Sequence, residues 1–205
     1  MEITVRRAEP AEIPMLARVL GTAFDDDPIV GWLIRDERNR ARRAAVMFET
    51  LVRHEFFEHG GTDVAFDDAG AMVGAAVWLP PDHRQSSYVT TLRTLPGMVR
   101  AFRTRLVAAG QLAERIQAEH PREPHWYLGF VGTLPRVRGR GVAHALLGPR
   151  LERCDITGAP AYLESSKRDN IPYYERYGFE VTGELDATGG GPPLWPMWRT
   201  AQSAS

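Results

Sequence analysis

Apolar positions recur along the chain in two periods, and the switches between them mark out the elements. Ile3 and Val5 alternate with polar neighbours and predict a short first strand. Pro10-Ala11-Glu12 opens a helix with Ile13, Leu16, Ala17 and Leu20 on one face, and Asp25-Asp26-Asp27-Pro28 breaks it. After the cluster Ile29, Val30, Trp32, Leu33 and Ile34, the spacing of Met47, Phe48, Leu51 and Val52 predicts a long helix from about Asn39 to Glu58, ended by Gly60-Gly61. Val64 and Phe66, then Met72 to Leu79, predict two strands joined by a turn at Asp67-Asp68-Ala69-Gly70, with Pro80-Pro81 stopping the second. Tyr88 to Glu119 is helical in pattern, with a break expected near Pro96-Gly97. Trp126 to Leu134 is a strongly apolar strand. A helix from Gly141 to Asp155 follows, in which Pro149 removes a backbone bond and is expected to bend the axis. A strand from Ala159 to Ser165, a short helix from Ile171 to Tyr177, and strands at Phe179–Glu184 and Leu194–Thr200 complete the series, the last two separated by a flexible Gly189-Gly190-Gly191. This order predicts an α/β chain with one mixed sheet and helices on both faces. A single domain over residues 1–200 is expected, with 201–205 as a flexible tail.

Composition narrows the function classes. A net charge of −1 gives no global basic field for nucleic acid. No apolar run approaches the roughly 20 residues that span a bilayer, and Met1 to Arg7 lacks a signal-peptide apolar region, so a cytoplasmic location is expected. Cys154 is the single cysteine, which excludes an intrachain disulfide and a multi-cysteine metal site; it reads as a small core residue rather than a nucleophile. Lys167 is the one lysine among 25 basic residues, in keeping with a GC-rich, bacterial coding sequence.

The chemistry concentrates between Trp126 and Phe179. A strand ends at Pro135, the turn Arg136-Val137-Arg138-Gly139-Arg140-Gly141 follows, and Val142-Ala143 begins a helix. The unpaired N–H groups of a first helical turn favour an anion, and Gly139 and Gly141 let a bulky phosphate approach the backbone. Arg138 and Arg140 add charge and donors. The turn therefore suits a pyrophosphate, against the plainer alternative of a surface turn with solvated arginines. It lacks the lysine and Ser/Thr of a Walker A loop, and its glycine spacing and late position differ from a dinucleotide fingerprint.

Two strings together resemble the cofactor-binding half of the GCN5-related N-acetyltransferases (GNAT). Arg138-x-x-Gly141-x-Ala143 is similar to the family's Gln/Arg-x-x-Gly-x-Gly/Ala signature, and Asn170 with Tyr174-Glu175-Arg176-x-Gly178-Phe179 to its later motif. Pro121-x-Glu123-Pro124-x-Trp126, Leu163-Glu164 and Asn170-x-Pro172-x-Tyr174-Glu175-Arg176 most resemble puromycin N-acetyltransferase and its relatives. The strong likeness covers the C-terminal 40% or so of the chain; upstream, only the element order and the Ala23-Phe24…Asp27-Pro28 pattern agree.

The resemblance implies a mostly antiparallel twisted sheet of six to seven strands, splayed between the fourth and fifth. It implies acetyl-CoA as co-substrate, a small-molecule amine as acceptor, and optionally a second copy of the chain as partner. Phe130, Val131, Gly132 and Thr133 would lie along the pantetheine arm, Arg138, Gly139, Arg140, Gly141, Val142 and Ala143 under the pyrophosphate. Asn170 would reach the arm or cap a helix, and Arg176 the phosphates or solvent. The resemblance also places Tyr174 to protonate the leaving thiolate, which suits an ordinary phenol, protonated at neutral pH; the alternative is an aromatic packed at a helix end, the part read for Tyr173 and Tyr177. Glu164 is the first candidate base, followed by Asp27, Glu123 and His125; a water relay or desolvation of the amine are the alternatives. Phe24, Asp27, Trp32 and Trp126 are candidates for an aromatic, anionic acceptor pocket, each aromatic having a plain core role as its alternative. No metal is assigned: the three adjacent aspartates at 25–27 point apart, and His54, His59, His83, His120 and His144 lack ligand spacing and read as surface residues.

Overall fold

The computed structural model describes residues 2–81, 88–187 and 189–202. His83 and residues 203–205 of the expected tail lie outside the described residues.

Among the described residues, seven strands form one sheet in the order β1-β2-β3-β4-β5-β7-β6. They are β1 (Thr4–Arg7), β2 (Thr62–Phe66), β3 (Met72–Leu79), β4 (Trp126–Thr133), β5 (Ala161–Ser165), β6 (Glu180–Val181) and β7 (Trp195–Arg199). All neighbours are antiparallel except β4 and β5. The parallel pair shares only Trp126↔Ala161 and Tyr127↔Tyr162, so the strands part after two residues. The last two strands are shorter than the pattern predicts. Val181 is the last residue of β6, and the chain returns to the sheet through the isolated bridge Leu185↔Leu194.

Every residue of β3 is buried, because both faces of the sheet are covered. Ala75, Val77 and Leu79 point into a core closed by α1 (Ile13–Ala23), α2 (Pro28–Leu33) and α3 (Arg40–Leu51). Ala76 and Trp78 point into a second core under α6 (Val142–Thr157) and α7 (Ile171–Glu175). The predicted stripe of α1 is the buried one, and Gly21 sets how closely it meets α3: a Cβ there would stand 2.4 Å from the Ala41 carbonyl oxygen. The expected long helix continues past Leu51 as a π-helical turn, Val52–Phe56, which turns both Val52 and Phe56 into the core before Gly60 ends it at φ +67°.

Helix α4 (Tyr88–Phe102) does not break at Pro96-Gly97 as the sequence led us to expect. Gly97 lies against Thr50, whose Oγ1 would be 2.0 Å from an added Cβ, so close packing on α3 keeps the helix whole at the loss of one backbone bond. The interruption falls at Arg103–Arg105, where Arg103 takes φ +50°, before α5 (Leu106–Glu119). Helix α6 likewise runs through Pro149, which is exposed, so the carbonyl it leaves free can turn to water.

Arg199 of β7 joins three elements. It is 3% exposed and forks onto Asp155 at the end of α6, with both N–O distances 2.7 Å. Its Nε donates to the Tyr177 carbonyl at 2.6 Å, and the Gln202 N–H donates to Asp155 at 2.7 Å, so the start of the expected tail is held.

Two outcomes test this packing. Gly21→Ala should lower the unfolding free energy by about 1–3 kcal/mol through overpacking. Gly110→Ala in α5, where an added Cβ meets nothing within 4 Å, should raise it by roughly 0.4–1 kcal/mol in the same denaturant titration. Hydrogen bonds from Arg199 hold the Asp155 carboxyl below the usual carboxylate range against a smaller opposing effect of burial. Falling pH therefore protonates the unfolded chain first, near pH ~3.9, and the stabilisation is lost as pH drops on through the folded value. Asp155→Asn should lower stability by about 1–3 kcal/mol at neutral pH, and its melting curve should converge on the parent's below pH ~4.

Candidate active site

The parting of β4 from β5 leaves one edge of β4 without a strand neighbour from Leu128 onward. The Leu134 N–H donates to Val73 of β3 at 2.8 Å. Strand alternation therefore turns the N–H groups of Gly132 and Phe130 toward β3, and those of Val131 and Thr133 into the gap. A bulge at Gly129, which faces neither Val77 nor Trp78 in the register, bends β4 where an added Cβ would strike the Phe56 ring at 2.6 Å.

The gap opens into a cleft of about 860 Å³. Its far end is the glycine turn. Gly139 (φ +76°) and Gly141 (φ +83°) are left-handed, and an added Cβ at either would point into open space. Gly141 is the N-cap of α6 and no side chain caps it, so the first N–H groups of the helix face outward. These features fit a diphosphate at the turn and an extended amide-bearing chain along β4.

The structure brings most of the sequence candidates to this cleft: Phe130 to Thr133, Arg138, Gly139 and Gly141 to Ala143 on one side, Phe24 and Asp27 at the α1–α2 corner, and Glu164, Asn170, Tyr174 and Arg176 opposite. Several sit there in unexpected ways. The Arg138 guanidinium binds the Ala23 carbonyl at 3.0 Å and Asp26 at 3.1 Å, tying the turn to the end of α1. Lys167 reaches the same carboxylate at 2.8 Å. Burial works against ionising Asp26, but hydrogen bonds from Arg138 and Lys167 outweigh it and hold the carboxyl down to about 2. Asn170 precedes α7 without a side-chain cap bond, and Arg176 lies over the Tyr173 ring at 5.1 Å.

Five candidates lie outside the cleft lining, among them Glu123 and His125, whose Nδ1 lies 2.6 Å from the Glu123 carbonyl oxygen. Trp126 faces α6, where Arg150 covers its ring at 4.5 Å. Trp32 packs under Gly191 and beneath Arg105, also at 4.5 Å. Arg140 is exposed, with its N–H on the Val137 carbonyl. Cys154 is fully buried in the α6 core, and burial pushes its thiol up to about 11.

Asp27 is 5% exposed and caps α2, accepting from the Val30 N–H at 3.0 Å and from the Ser166 hydroxyl on its other oxygen. Burial raises its carboxyl above the ordinary range. Tyr174 is buried beside it; burial first, then the charge of Asp27, pushes the phenol well above its ordinary value, so it stays protonated as a donor. The Glu164 side chain is 6% exposed and accepts from the Tyr127 hydroxyl at 2.8 Å. Phe24, Phe48, Phe130 and Phe56 form a ladder of rings 5.0–5.4 Å apart beside them. Ser166, Lys167 and Tyr127 were not candidates from sequence; each follows or precedes a recognised residue by one to three positions, and only the fold shows which way it points. His120, read as a surface residue, is instead packed against Tyr127, Tyr162 and His125. Among the described residues no group of three or more His, Cys, Asp or Glu is placed to hold a metal, and no helix is long and apolar enough to cross a membrane.

Comparison with known proteins agrees with this architecture. The Acetyltransferase (GNAT) family model matches residues 17–179. An uncharacterized N-acetyltransferase of Schizosaccharomyces pombe is 28% identical over 190 residues, spanning 86% of this chain and 74% of its own. A solved structure from Corynebacterium glutamicum, described as histone acetyltransferase HPA2 and related acetyltransferase, is 30% identical with a TM-score of 0.76 and covers 100% of this chain and 99% of its own. The fold alone is shared with arylalkylamine N-acetyltransferase 2 of Aedes aegypti (TM-score 0.61, 10% identity, 98% and 100% covered). With the parted strands, the glycine turn and these likenesses together, the chain belongs to the GNAT family and is an N-acetyltransferase.

Proposed function

We propose that this enzyme moves the acetyl group of acetyl-CoA to the amine of a small molecule by direct attack on the thioester. The observation that carries the reading is the unpaired edge of β4, which lines the same cleft as the glycine turn, Glu164 and Tyr174. Acetyl-CoA, when bound, supplies an activated carbonyl and a thiol leaving group. The turn from Arg138 to Ala143 would hold its phosphates with backbone N–H groups, and Val131 and Thr133 would hydrogen-bond its arm. The Val131 N–H is the first choice of donor to the carbonyl oxygen as negative charge develops there. Glu164 takes the proton from the amine, and the Tyr174 hydroxyl gives one to the departing sulfur. Phe24, Phe130 and the carboxylates of Asp27 and Glu164 favour a cationic amine with apolar bulk, and an aminonucleoside such as puromycin heads the candidates. The likeness to the histone acetyltransferase-related protein of C. glutamicum favours one second reading, a lysine amine of a protein. A panel holding puromycin, arylalkylamines, polyamines and a lysine peptide, read by acetyl-CoA-dependent mass gain, separates the two.

Tyr174→Phe should lower kcat by ~10²-fold or more while the Kd for CoA changes little; unchanged turnover would remove Tyr174 as the acid. Gly141→Asp places a charge against the phosphates and a side chain in a left-handed position. Calorimetry should show CoA affinity falling more than ~10-fold with the fold intact by circular dichroism. Equal affinity would exclude the turn as the phosphate site.

A further inference from the structure

Behind Glu164 lies a closed group of rings that the reaction above does not use. His120 ends α5, His125 precedes β4, and Tyr127 and Tyr162 come from the two strands that part. The His120 ring stands 4.9 Å from His125, 4.9 Å from Tyr127 and 5.1 Å from Tyr162. Its side chain is 14% exposed, and its Nδ1 faces Glu164 Oε1 at 3.8 Å. Both of those atoms are buried, and neither has a hydrogen-bond partner among the described residues.

The hydrogen bonds fix where the protons are. His125 Nδ1 lies 2.6 Å from the Glu123 carbonyl, which only accepts, so Nδ1 carries a hydrogen. Burial disfavours the charged form of His125, so its Nε2 is bare. That Nε2 is 3.1 Å from His120 Nε2, which must therefore donate. A neutral His120 then presents a bare Nδ1 to the carboxylate oxygen, lone pair against lone pair, in a site closed to water. One added proton turns this opposition into an attraction, and a hydrogen bond forms once the two atoms close in from 3.8 Å. The titratable groups facing the pair are His125, Tyr127, whose hydroxyl already serves Glu164 Oε2, and Tyr162, whose buried phenol is pushed up by burial and then by the neighbouring Glu164 carboxylate. Of the flanking carboxylates, Glu123 acts on His125 and Glu119 on Tyr162.

We propose that Glu164 and His120 act as one proton acceptor, taking the amine's proton and holding it between Glu164 Oε1 and His120 Nδ1. This rests on the reading of Glu164 as the base. The N–H bond of the ammonium breaks, its electron pair stays on nitrogen for the attack, and the proton passes through the carboxylate to form a new N–H bond on His120. The imidazolium so made is paired with the carboxylate, and after turnover the proton returns through Glu164, which lines the cleft, to water there. His120 is thus a positioning residue for the proton and never touches the substrate.

The test uses the full chain. Glu164→Gln should reduce kcat/KM by ~10²-fold or more. His120→Asn keeps a donor for Oε1 but no site for a proton; it should lower kcat/KM at neutral pH by at least ~10-fold and shift the acidic limb of the pH profile, with CoA affinity unchanged. In ¹⁵N-histidine NMR of the resting protein, the His120 Nδ1 signal should move in Glu164→Gln, which replaces the carboxylate facing it. If Glu164→Gln keeps full turnover, Glu164 is not the base. If that variant is inactive while His120→Asn shows the parent pH profile, or if the His120 Nδ1 signal is the same in Glu164→Gln as in the parent, the shared-proton pair is overturned and the base stands alone.

Discussion

The parallel contact between β4 and β5 governs the rest of the molecule. Two paired residues are enough to fix the strands at one end, where Tyr127 and Tyr162 stack at 6.0 Å. Beyond them the backbone groups on the β5 side of β4 have no strand neighbour among the described residues, and buried groups without partners are costly. A sheet can tolerate such an edge only where something else fills it or water reaches it. Here the cleft, the bulge at Gly129 and the ring ladder from Phe24 to Phe56 keep the edge open rather than collapsed. Helix α6, the crossover between the two strands, then starts at the mouth of the gap, which brings its uncapped N-terminus to the same opening.

Electrostatics at the α1–α2 corner separate two adjacent aspartates. Asp26 is outside and shared by Arg138 and Lys167; Asp27 is inside and shared by the start of α2 and Ser166. The first ties the glycine turn to α1. The second stands near Tyr174 and strengthens the phenol's hold on its proton. One residue of sequence thus divides a strut from a component of the chemical site.

The sequence made the sheet strands and the two motif strings readable because each carries its signal locally: a run of apolar residues, a turn with glycines, a helix start. Position relative to the other layer was not readable. Trp126 and Tyr127 are neighbours in an apolar strand, and either was a fair choice for the cleft; the pleat sends the tryptophan toward α6 and the tyrosine toward Glu164. Trp32 has the composition of a pocket residue, yet Gly191, far along the chain, packs on it. His120 and Glu164 face each other although they lie 44 positions apart in the sequence, with no spacing rule to link them. The failed break at Pro96-Gly97 has the same origin, since the contact with Thr50 that keeps α4 whole belongs to another helix.

Strand β7 is the last strand in the chain, yet it lies between β5 and β6. During synthesis, β5 is therefore complete while the edge meant for Trp195–Arg199 is still bare. Neither that edge nor the buried cation of Arg199 is satisfied until the final residues emerge and Asp155 receives its fork. The nascent chain must pass through a stage with an open, apolar β edge, the kind of surface on which copies adhere to each other and chaperones act.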